Sequence, residues 1–278
     1  MLELHATERI LVLAPHPNDE SIAAGGMIAS VLQVHPESRV RVIIATNGDA
    51  SYANSFFHSS NNFTRQHFQS IAHGHQQECL SALTILGLDS SQISFWGFPE
   101  QGLSKLRQQY WSRKEAYRSP TTGFYSTEQA KNSPVLQYNG MNLLKLIQSE
   151  LISFRPTKII IPHPQDMNSD HRTLALLTIF AVGVQQIQQD APHMLAYLLW
   201  SGNTFWMPGS FFNENTKISL PRAAFRNGWK LFPLSKSAQE KKALALTSYS
   251  SQGFVTGWFS RVDAKNPQAQ FEIFASSP

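Results

Sequence analysis

Short apolar runs alternate with helix-like patterns along most of this chain. Unbroken, partly β-branched runs predict strands buried on both faces at residues 10–14, 40–45, 93–96, 158–161 and 195–199. Apolar residues at helical spacing predict one helix that begins at Asp19 and Glu20, and others at 73–86, 141–154, 170–188 and 235–246. Strands that alternate with helices are typical of α/β folds, and this order predicts a Rossmann-like three-layer sandwich with a mostly parallel sheet.

Four segments depart from this alternation. Residues 51–70 are polar and aromatic without periodicity, which predicts a long surface loop that could act as a lid. Residues 106–135 predict a second loop, suited to line a substrate cleft. Residues 200–232 are aromatic and interrupted by Pro and Gly, so they predict irregular or antiparallel structure, and 271–274 predict an edge strand. We expect one domain over residues 1–278, with an irregular, aromatic-rich part from about residue 200.

Composition and charge exclude several classes of protein. The chain is 42% hydrophobic and 15% charged, and it has no apolar stretch of the about 18 residues that a membrane span needs. Its net charge of +4 comes from scattered Lys and Arg, so we expect no nucleic-acid partner. The single cysteine, Cys79, excludes an intrachain disulfide, and the N-terminus lacks the apolar region of a signal peptide. These features predict a cytoplasmic protein without a membrane span.

Two polar clusters follow predicted strands. His16 and Asp19 lie in the turn after the first strand, and an imidazole with a carboxylate makes half a zinc site. The ordinary alternative is a helix start capped by Asp, beside a solvated His. A second cluster, 163–172, follows the strand at 158–161 and holds two His and two Asp. Ligands bind beyond the carboxyl ends of parallel strands, so these loops can converge on one site. The chain lacks Gly-x-Gly-x-x-Gly after its first strand and a Walker sequence, which argues against a nucleotide site.

Both clusters carry specific signatures. The first signature reads His16-Pro17-Asn18-Asp19-Glu20, and the second reads Asn168-Ser169-Asp170-His171. With these motifs the sequence resembles the zinc-dependent de-N-acetylases of the PIG-L/LmbE type, whose signatures are His-Pro-Asp-Asp-Glu and His-Pro-Asp-His. Weaker similarities, such as Gly25-Gly26 and Ser251-Gln252, extend over most of the chain. The resemblance implies a single LmbE-like domain.

The resemblance also implies a catalytic metal site. Its ligands would be His16, Asp19 and His171, with water at the fourth position, which is the ligand number of a catalytic zinc site. Zn²⁺, or another divalent metal, would acidify water and polarise an amide carbonyl, giving acetate and a free amine. The substrates of the family are mostly GlcNAc-type conjugates. The implied function is therefore a metal-dependent hydrolase that removes an acetyl group from a small N-acetylated sugar or glycoconjugate.

Two positions depart from the family signatures. Asn18 stands where the family has the Asp proposed as general base, and an amide cannot accept a proton from water at neutral pH. Losing a positioned base costs about 100- to 10,000-fold in rate. Asn168 replaces a His that in many relatives helps to stabilise or protonate the intermediate, although an Asn N–H could still bind a developing oxyanion. Three explanations for Asn18 stay open: the residue was changed to trap substrate, the protein is a sugar binder, or the base is another carboxylate, such as Asp49, Asp166 or Glu20.

The remaining candidates have supporting or substrate-binding roles. Glu20 and Asp170 are expected to orient the metal ligands, and Asp166 to point toward the metal. Arg172 is either a substrate contact or a charge on a helix surface. The candidate catalytic residues are Asn18, Asp166, Asn168 and Asp170. The candidate substrate-binding residues are Glu20, Asp49, His75, Glu100 and Arg172.

Other functions are compatible with the sequence. The same three ligands could serve a phosphoester hydrolase or another amide hydrolase, which would prefer a second metal and more carboxylates. A catalytically impaired family member that binds carbohydrate is favoured by Asn18 and by aromatic loop residues such as Trp111 and Tyr125. An assembly of identical chains is also compatible with the sequence.

Overall fold

The computed structural model describes most of the chain. Described are residues 2, 5, 7–50, 64–112, 114–185, 191–201, 204–205, 228–252 and 271–276. Most of the predicted loop at 51–70 and most of the aromatic segment at 200–232 lie outside these residues. Within the described part, no helix combines the length and the apolar character of a membrane span.

A mostly parallel sheet organises the fold. The strands are β1 (Arg9–Ala14), β2 (Arg39–Thr46), β3 (Ile93–Phe98), β4 (Lys158–Pro162), β5 (His193–Tyr197), β6 (Trp200–Ser201), β7 (Thr204–Phe205), β8 (Trp229–Pro233) and β9 (Phe271–Ser276). The helices are α1 (Asp19–Val34), α2 (Arg65–Leu86), α3 (Leu103–Gln108), α4 (Gly140–Phe154), α5 (Ser169–Gln185) and α6 (Lys236–Leu246). Seven strands form one sheet in the order β3-β2-β1-β4-β5-β9-β8, and β6 pairs with β7. Strands β1 to β5 are parallel, whereas β8 and β9 join antiparallel. The predicted α/β fold with a mostly parallel sheet is confirmed.

Strand β1 is buried on both faces because helices cover both sides of the sheet. Ile10 and Val12 belong to one apolar cluster, together with side chains of α1, α2 and α6. Leu11 and Leu13 belong to the other cluster, together with side chains of α3, α4 and α5. A strand covered in this way has apolar residues at every position, which explains the unbroken run in the sequence. The three-layer arrangement follows from these two clusters.

Helix α2 begins earlier than predicted, and helix α3 was not predicted from the sequence. Helix α2 begins at Arg65, eight residues before the predicted start, because the Thr64 hydroxyl accepts a hydrogen bond from the His67 N–H at 3.3 Å and caps the helix. Its first turns are partly or fully exposed, so their apolar pattern is too sparse to predict a helix. Helix α3 includes the start of the predicted second loop. Its first turn is held by Asp170, a distant residue that no local pattern reveals.

Strand β9 is not the edge strand that the sequence predicted. It lies between β5 and β8 and pairs with both. Strand β8 forms the edge, and its antiparallel pairing agrees with the prediction for the end of the aromatic segment. From β9, the Glu272 carboxylate accepts hydrogen bonds from the N–H groups of Gly26 and Met27 in α1, both at 2.8 Å, and from Lys242 of α6 at 2.6 Å. Strand β9 therefore connects α1 with α6.

Gly26 allows close contact between α1 and the residue that follows β8. A Cβ atom at Gly26 would lie 2.5 Å from the Cδ1 atom of buried Leu234. We expect Gly26→Ala to lower the free energy of unfolding, because overpacking costs about 1–3 kcal/mol and the higher helix propensity of Ala returns only about 1 kcal/mol. Gly74→Ala in α2 is the matched control, since no atom lies within 4 Å of a Cβ there. Chemical denaturation compares both variants with the parent; a Gly26→Ala protein as stable as Gly74→Ala would contradict the packing argument.

Candidate metal centre

The turn between β1 and α1 carries the first two donors of the site. Asn18 has a left-handed backbone conformation with φ of 110°, which Asn adopts more readily than most residues. This conformation reverses the chain between His16 and Asp19. The Asp19 Oδ2 atom then accepts a hydrogen bond from the His16 N–H at 3.0 Å. Local sequence thus brings the His16 ring and the Asp19 carboxylate to the same side of the turn.

His171 reaches the same point from the neighbouring strand. It lies in the first turn of α5, which follows β4, and β4 pairs directly with β1. The Asp19 Oδ2 atom lies 3.1 Å from His16 Nδ1 and 3.1 Å from His171 Nε2, and the two nitrogens are 3.3 Å apart. Asp19 and His171 are buried, and His16 is partly exposed. Among the described residues, these three are the one group of possible metal ligands (His, Cys, Asp or Glu) whose donor atoms lie close enough together to share an ion.

The three donor atoms fit a catalytic divalent metal. Bonds of about 2.0–2.2 Å to atoms this far apart would subtend angles of about 100° at the ion, between the octahedral and tetrahedral values. Two imidazoles and one carboxylate are also the donor set of a class of catalytic zinc sites, which leave a position open for water or substrate. The residues present therefore fit the metal that the family resemblance implies.

A carboxylate lies close to the outer ring nitrogen of each imidazole. The outer nitrogen of His16, Nε2, lies 3.4 Å from Asp170 Oδ2, and the outer nitrogen of His171, Nδ1, lies 3.2 Å from Asp166 Oδ2. A ring N–H that donates to a carboxylate leaves the opposite nitrogen without a proton and directs it at the metal. This arrangement fixes which nitrogen of each ring can bind the ion.

The charges around the cluster favour a cation at its centre. Burial lowers the pKa of His171, but the carboxylates of Asp19 and Asp166 outweigh burial and raise that pKa to about 9. Burial also opposes ionisation of Asp19, yet the two imidazoles hold the pKa of its carboxyl well below the usual range. A metal ion would supply the positive charge that a proton otherwise supplies, so metal binding should release protons.

Asp166 is held in place by backbone N–H groups. Its carboxylate accepts hydrogen bonds from Asn168 at 2.9 Å, Leu199 at 3.0 Å and Trp200 at 3.1 Å. The Arg172 guanidinium donates to the carbonyl oxygen of Asp166 at 2.8 Å and so fastens the same loop. Both oxygens of the Asp166 carboxylate are therefore engaged: they shape the loop and orient the imidazole of His171.

Asp170 links His16 to the loop after β3. Its carboxylate accepts hydrogen bonds from the Gln101 N–H at 2.5 Å and from the Leu103 N–H at 3.1 Å. The side-chain oxygen of Asn168 accepts a hydrogen bond from the Asp170 N–H at 2.9 Å, so Asn168 caps α5. The loop after β3 and the start of α5 are thus joined by hydrogen bonds beside His16.

Three candidate substrate-binding residues lie around the carboxyl ends of β2 and β3. Asp49 and Glu100 are adjacent, and the Asp49 Oδ1 atom accepts a hydrogen bond from the Glu100 N–H at 2.9 Å. His75 of α2 is buried, and a Cβ atom on Gly48 would lie 2.6 Å from its Nδ1 atom. Burial lowers the pKa of His75, so its imidazole is neutral near pH 7. The His75 imidazole thus lies against the loop that follows β2.

Comparison with known proteins identifies the family. The sequence matches the family model for PIG-L, described as GlcNAc-PI de-N-acetylase, over residues 11–182, which is more than half of the chain. The chain belongs to the PIG-L family. No curated protein matches the chain at a significant level.

Several solved structures share the fold of this PIG-L family member. The N,N'-diacetylchitobiose deacetylase from Pyrococcus horikoshii is 14% identical with a TM-score of 0.55, and the match covers 98% of this chain and 84% of that chain. The zinc-inhibited form of teicoplanin deacetylase is 13% identical with a TM-score of 0.58, covering 96% of this chain and 97% of that chain. The 4-carboxy-2-hydroxymuconate hydratase from Pseudomonas putida is 15% identical with a TM-score of 0.56, covering 92% and 84%. These similarities establish the fold, and the hydratase indicates that proteins of this fold differ in chemistry.

Asn18, the departure from the first PIG-L signature, contacts a distant residue. Its side-chain amide donates a hydrogen bond to Gln252 Oε1 at 2.6 Å. Gln252 donates in turn to Glu78 of α2 at 3.3 Å. Sequence reasoning missed this contact, although Ser251-Gln252 is among the weaker similarities to the PIG-L family. The turn after α6 is therefore part of the surroundings of the metal centre.

Glu20, the last residue of the first PIG-L signature, lies in the core. Its carboxylate accepts hydrogen bonds from the Ser21 hydroxyl at 2.7 Å, from the Asn18 N–H at 3.1 Å and from the Tyr249 hydroxyl. Glu20 is fully buried, and burial raises the pKa of its carboxyl. The contact with Asn18 stabilises the turn that carries the first two donors. Tyr249 is a second residue that sequence reasoning missed.

Proposed function

We propose that this PIG-L family protein is a metal-dependent hydrolase that removes the acetyl group from an N-acetylated sugar conjugate of the GlcNAc type. The observation that carries the proposal is the meeting of His16 Nδ1, Asp19 Oδ2 and His171 Nε2 at 3.1 to 3.3 Å. The family description, GlcNAc-PI de-N-acetylase, supports both the reaction and the substrate class.

Each residue of the site has a defined part in this proposal. His16, Asp19 and His171 would hold Zn²⁺ or another divalent ion, which when bound acidifies water and polarises an acetyl carbonyl. Asp166 and Asp170 keep the two imidazoles oriented. Asn168 caps α5 through its side-chain oxygen, and within the described ranges of the chain its amide N–H groups have no acceptor, so they could stabilise negative charge that develops on the acetyl oxygen. The sugar would contact Asp49 and His75.

The named structural neighbours support an N-acetylated substrate. One neighbour is a deacetylase of N,N'-diacetylchitobiose, and another is a deacetylase of teicoplanin. The hydratase shares the fold equally well. The family match favours amide hydrolysis over hydration, because it is a match of sequence to a family described as a de-N-acetylase.

We expect the metal-loaded protein to release acetate and a free amine from at least one N-acetylated sugar. Suitable substrates are N-acetylglucosamine, diacetylchitobiose and GlcNAc-phosphatidylinositol, with glucosamine as the control that has no acetyl group. Treatment with a chelator should abolish the release, and added Zn²⁺ or Co²⁺ should restore it, because the ion supplies the acidified water. Free amine and acetate are measured in parallel. Failure of the protein to retain any divalent metal would contradict the proposal.

A carbohydrate-binding protein without hydrolytic activity is the second candidate. Asn18 favours this candidate, because an amide cannot accept a proton from water at neutral pH. Its amide also donates a hydrogen bond to Gln252. Such a protein would bind members of the same sugar panel in calorimetry but would release no acetate. The two measurements together decide between hydrolase and sugar binder.

A further inference from the structure

The proposed hydrolysis needs a group that accepts a proton from water, and most carboxylates near the metal centre have other contacts. Asp166 and Asp170 face the outer nitrogens of the ligand imidazoles and accept backbone hydrogen bonds. Glu20 is buried against the Ser21 and Tyr249 hydroxyls. These three carboxylates are engaged in positioning other groups.

Glu100 differs from these carboxylates in its contacts. It follows β3, and its side chain is partly exposed. Its Oε2 atom accepts a hydrogen bond from the Ala50 N–H at 2.5 Å. No donor to its Oε1 atom is found in the part of the chain that the structure describes. A carboxylate that is fixed through one oxygen keeps the other for water or substrate.

The backbone around Glu100 is tied to the ligand cluster. The Glu100 N–H donates to Asp49, and the next N–H, that of Gln101, donates to Asp170 Oδ2 at 2.5 Å. That same oxygen lies 3.4 Å from the Nε2 atom of the ligand His16. Gln101, the residue after Glu100, has a left-handed backbone conformation with φ of 59°. Glu100 is therefore held in a fixed position relative to the metal centre.

The surroundings of Glu100 suit proton transfer near neutral pH. Burial raises the pKa of Glu100, the charge of His16 lowers it and the adjacent Asp49 carboxylate raises it again, to about 7. Proton transfer is most efficient when the pKa of the base is close to the working pH. Asp49 is less suited, because its two oxygens accept hydrogen bonds from the Glu100 N–H and, at 3.2 Å, from the Thr121 hydroxyl.

We propose that Glu100 is the general base of the deacetylation, in the role that Asn18 cannot fill. This inference rests on the proposed function. Glu100 takes one proton from the attacking water while the water oxygen bonds to the acetyl carbon. The C–N bond then breaks, and Glu100 returns this proton to the amine nitrogen. The second proton of the water leaves the acetic acid product, which gives acetate and a free amine.

Four variants test the role of Glu100. Glu100→Gln should lower kcat by about 100- to 10,000-fold, the usual cost of losing a positioned base, and should leave the metal content unchanged. Adding Asn18→Asp to Glu100→Gln should recover kcat, because it places a carboxylate at the position of the family base. Asn18→Asp alone tests the proposed function separately from the role of Glu100, because it carries a carboxylate at the position of the family base. Glu240→Gln, at an exposed position of α6, is the matched control and should leave kcat unchanged.

Two readouts are specific to proton transfer. In the parent, kcat/KM should rise with pH through about 7, because Glu100 accepts a proton only when it is ionised. Infrared difference spectra should contain protonated carboxyl bands that disappear as the pH rises through about 6 for Asp49 and about 7 for Glu100, and only the band near 7 should be missing from Glu100→Gln. This second readout does not depend on activity.

The remaining outcomes would overturn the inference. An unchanged kcat in Glu100→Gln would exclude a base at this position, and loss of kcat that Asn18→Asp does not restore would assign Glu100 to substrate binding. If the parent releases no acetate whereas Asn18→Asp does, Glu100 is not a base and the parent is the impaired sugar binder, although the metal centre itself can support deacetylation. If neither protein releases acetate, the proposed function and the inference both fail.

Discussion

Replacement of His171 with alanine is expected to remove the metal ion and, with it, hydrolysis. The substitution leaves His16 and Asp19 as the only two protein donors of the cluster, and a catalytic zinc site uses three. His171 is fully buried, so alanine also leaves the Asp166 carboxylate without its imidazole partner at 3.2 Å. We expect a larger loss of metal affinity than the about 10- to 100-fold that follows from removal of a supporting contact.

The measurement is the metal content after dialysis, together with acetate release from the best N-acetylated sugar. His73→Ala is the matched control, because His73 lies exposed on α2 and contributes no donor to the cluster. Retention of one metal ion per chain by His171→Ala, with activity like that of the control, would show that the ion is held elsewhere.

Asp166→Asn is expected to weaken metal binding by about 10- to 100-fold while the three donors stay in place. The charged acceptor behind His171 Nδ1 becomes a neutral amide, which reduces the basicity of the opposite nitrogen. The amide oxygen can still accept some of the backbone hydrogen bonds that Leu199 and Trp200 donate, so we expect the protein to fold.

Competition with a chromophoric chelator measures the affinity of this variant. Glu150→Gln is a suitable control, because it removes a carboxylate whose partner is Arg41 at 2.8 Å and not a histidine of the site. An Asp166→Asn protein that binds the metal as tightly as the parent would mean that the Asp166 carboxylate does not strengthen metal binding by His171. Circular dichroism of each variant separates loss of affinity from loss of structure.

Features that depend on local sequence could be predicted. The apolar run before His16 predicted a strand, and Pro17 marked its end. The placement of His16 and His171 near one another follows from a general rule, because the loops after parallel strands lie at one edge of the sheet. The early start of α2 at Arg65 escaped prediction, since it depends on the Thr64 cap and not on an apolar pattern.

Features that depend on distant contacts could not be predicted. Glu20 follows Asp19 directly, yet its carboxylate turns into the core because Tyr249, far along the chain, donates to it. The contact of Asn18 with Gln252 has the same origin. The position of β9 inside the sheet depends on pairing with β5 and β8, and sequence periodicity predicts strands without predicting their neighbours.

The support of Asp166 has a consequence for protein engineering. Two of the groups that hold its carboxylate, the N–H groups of Leu199 and Trp200, lie beyond residue 182, where the family match stops. The partners of Glu20 and Asn18 in the turn after α6 lie further still. A minimal fragment designed from the family match would keep all three donor atoms. It would lose the later residues whose hydrogen bonds hold the supporting side chains in position. Grafting this centre onto another protein would likewise require the later segments to be transplanted with it.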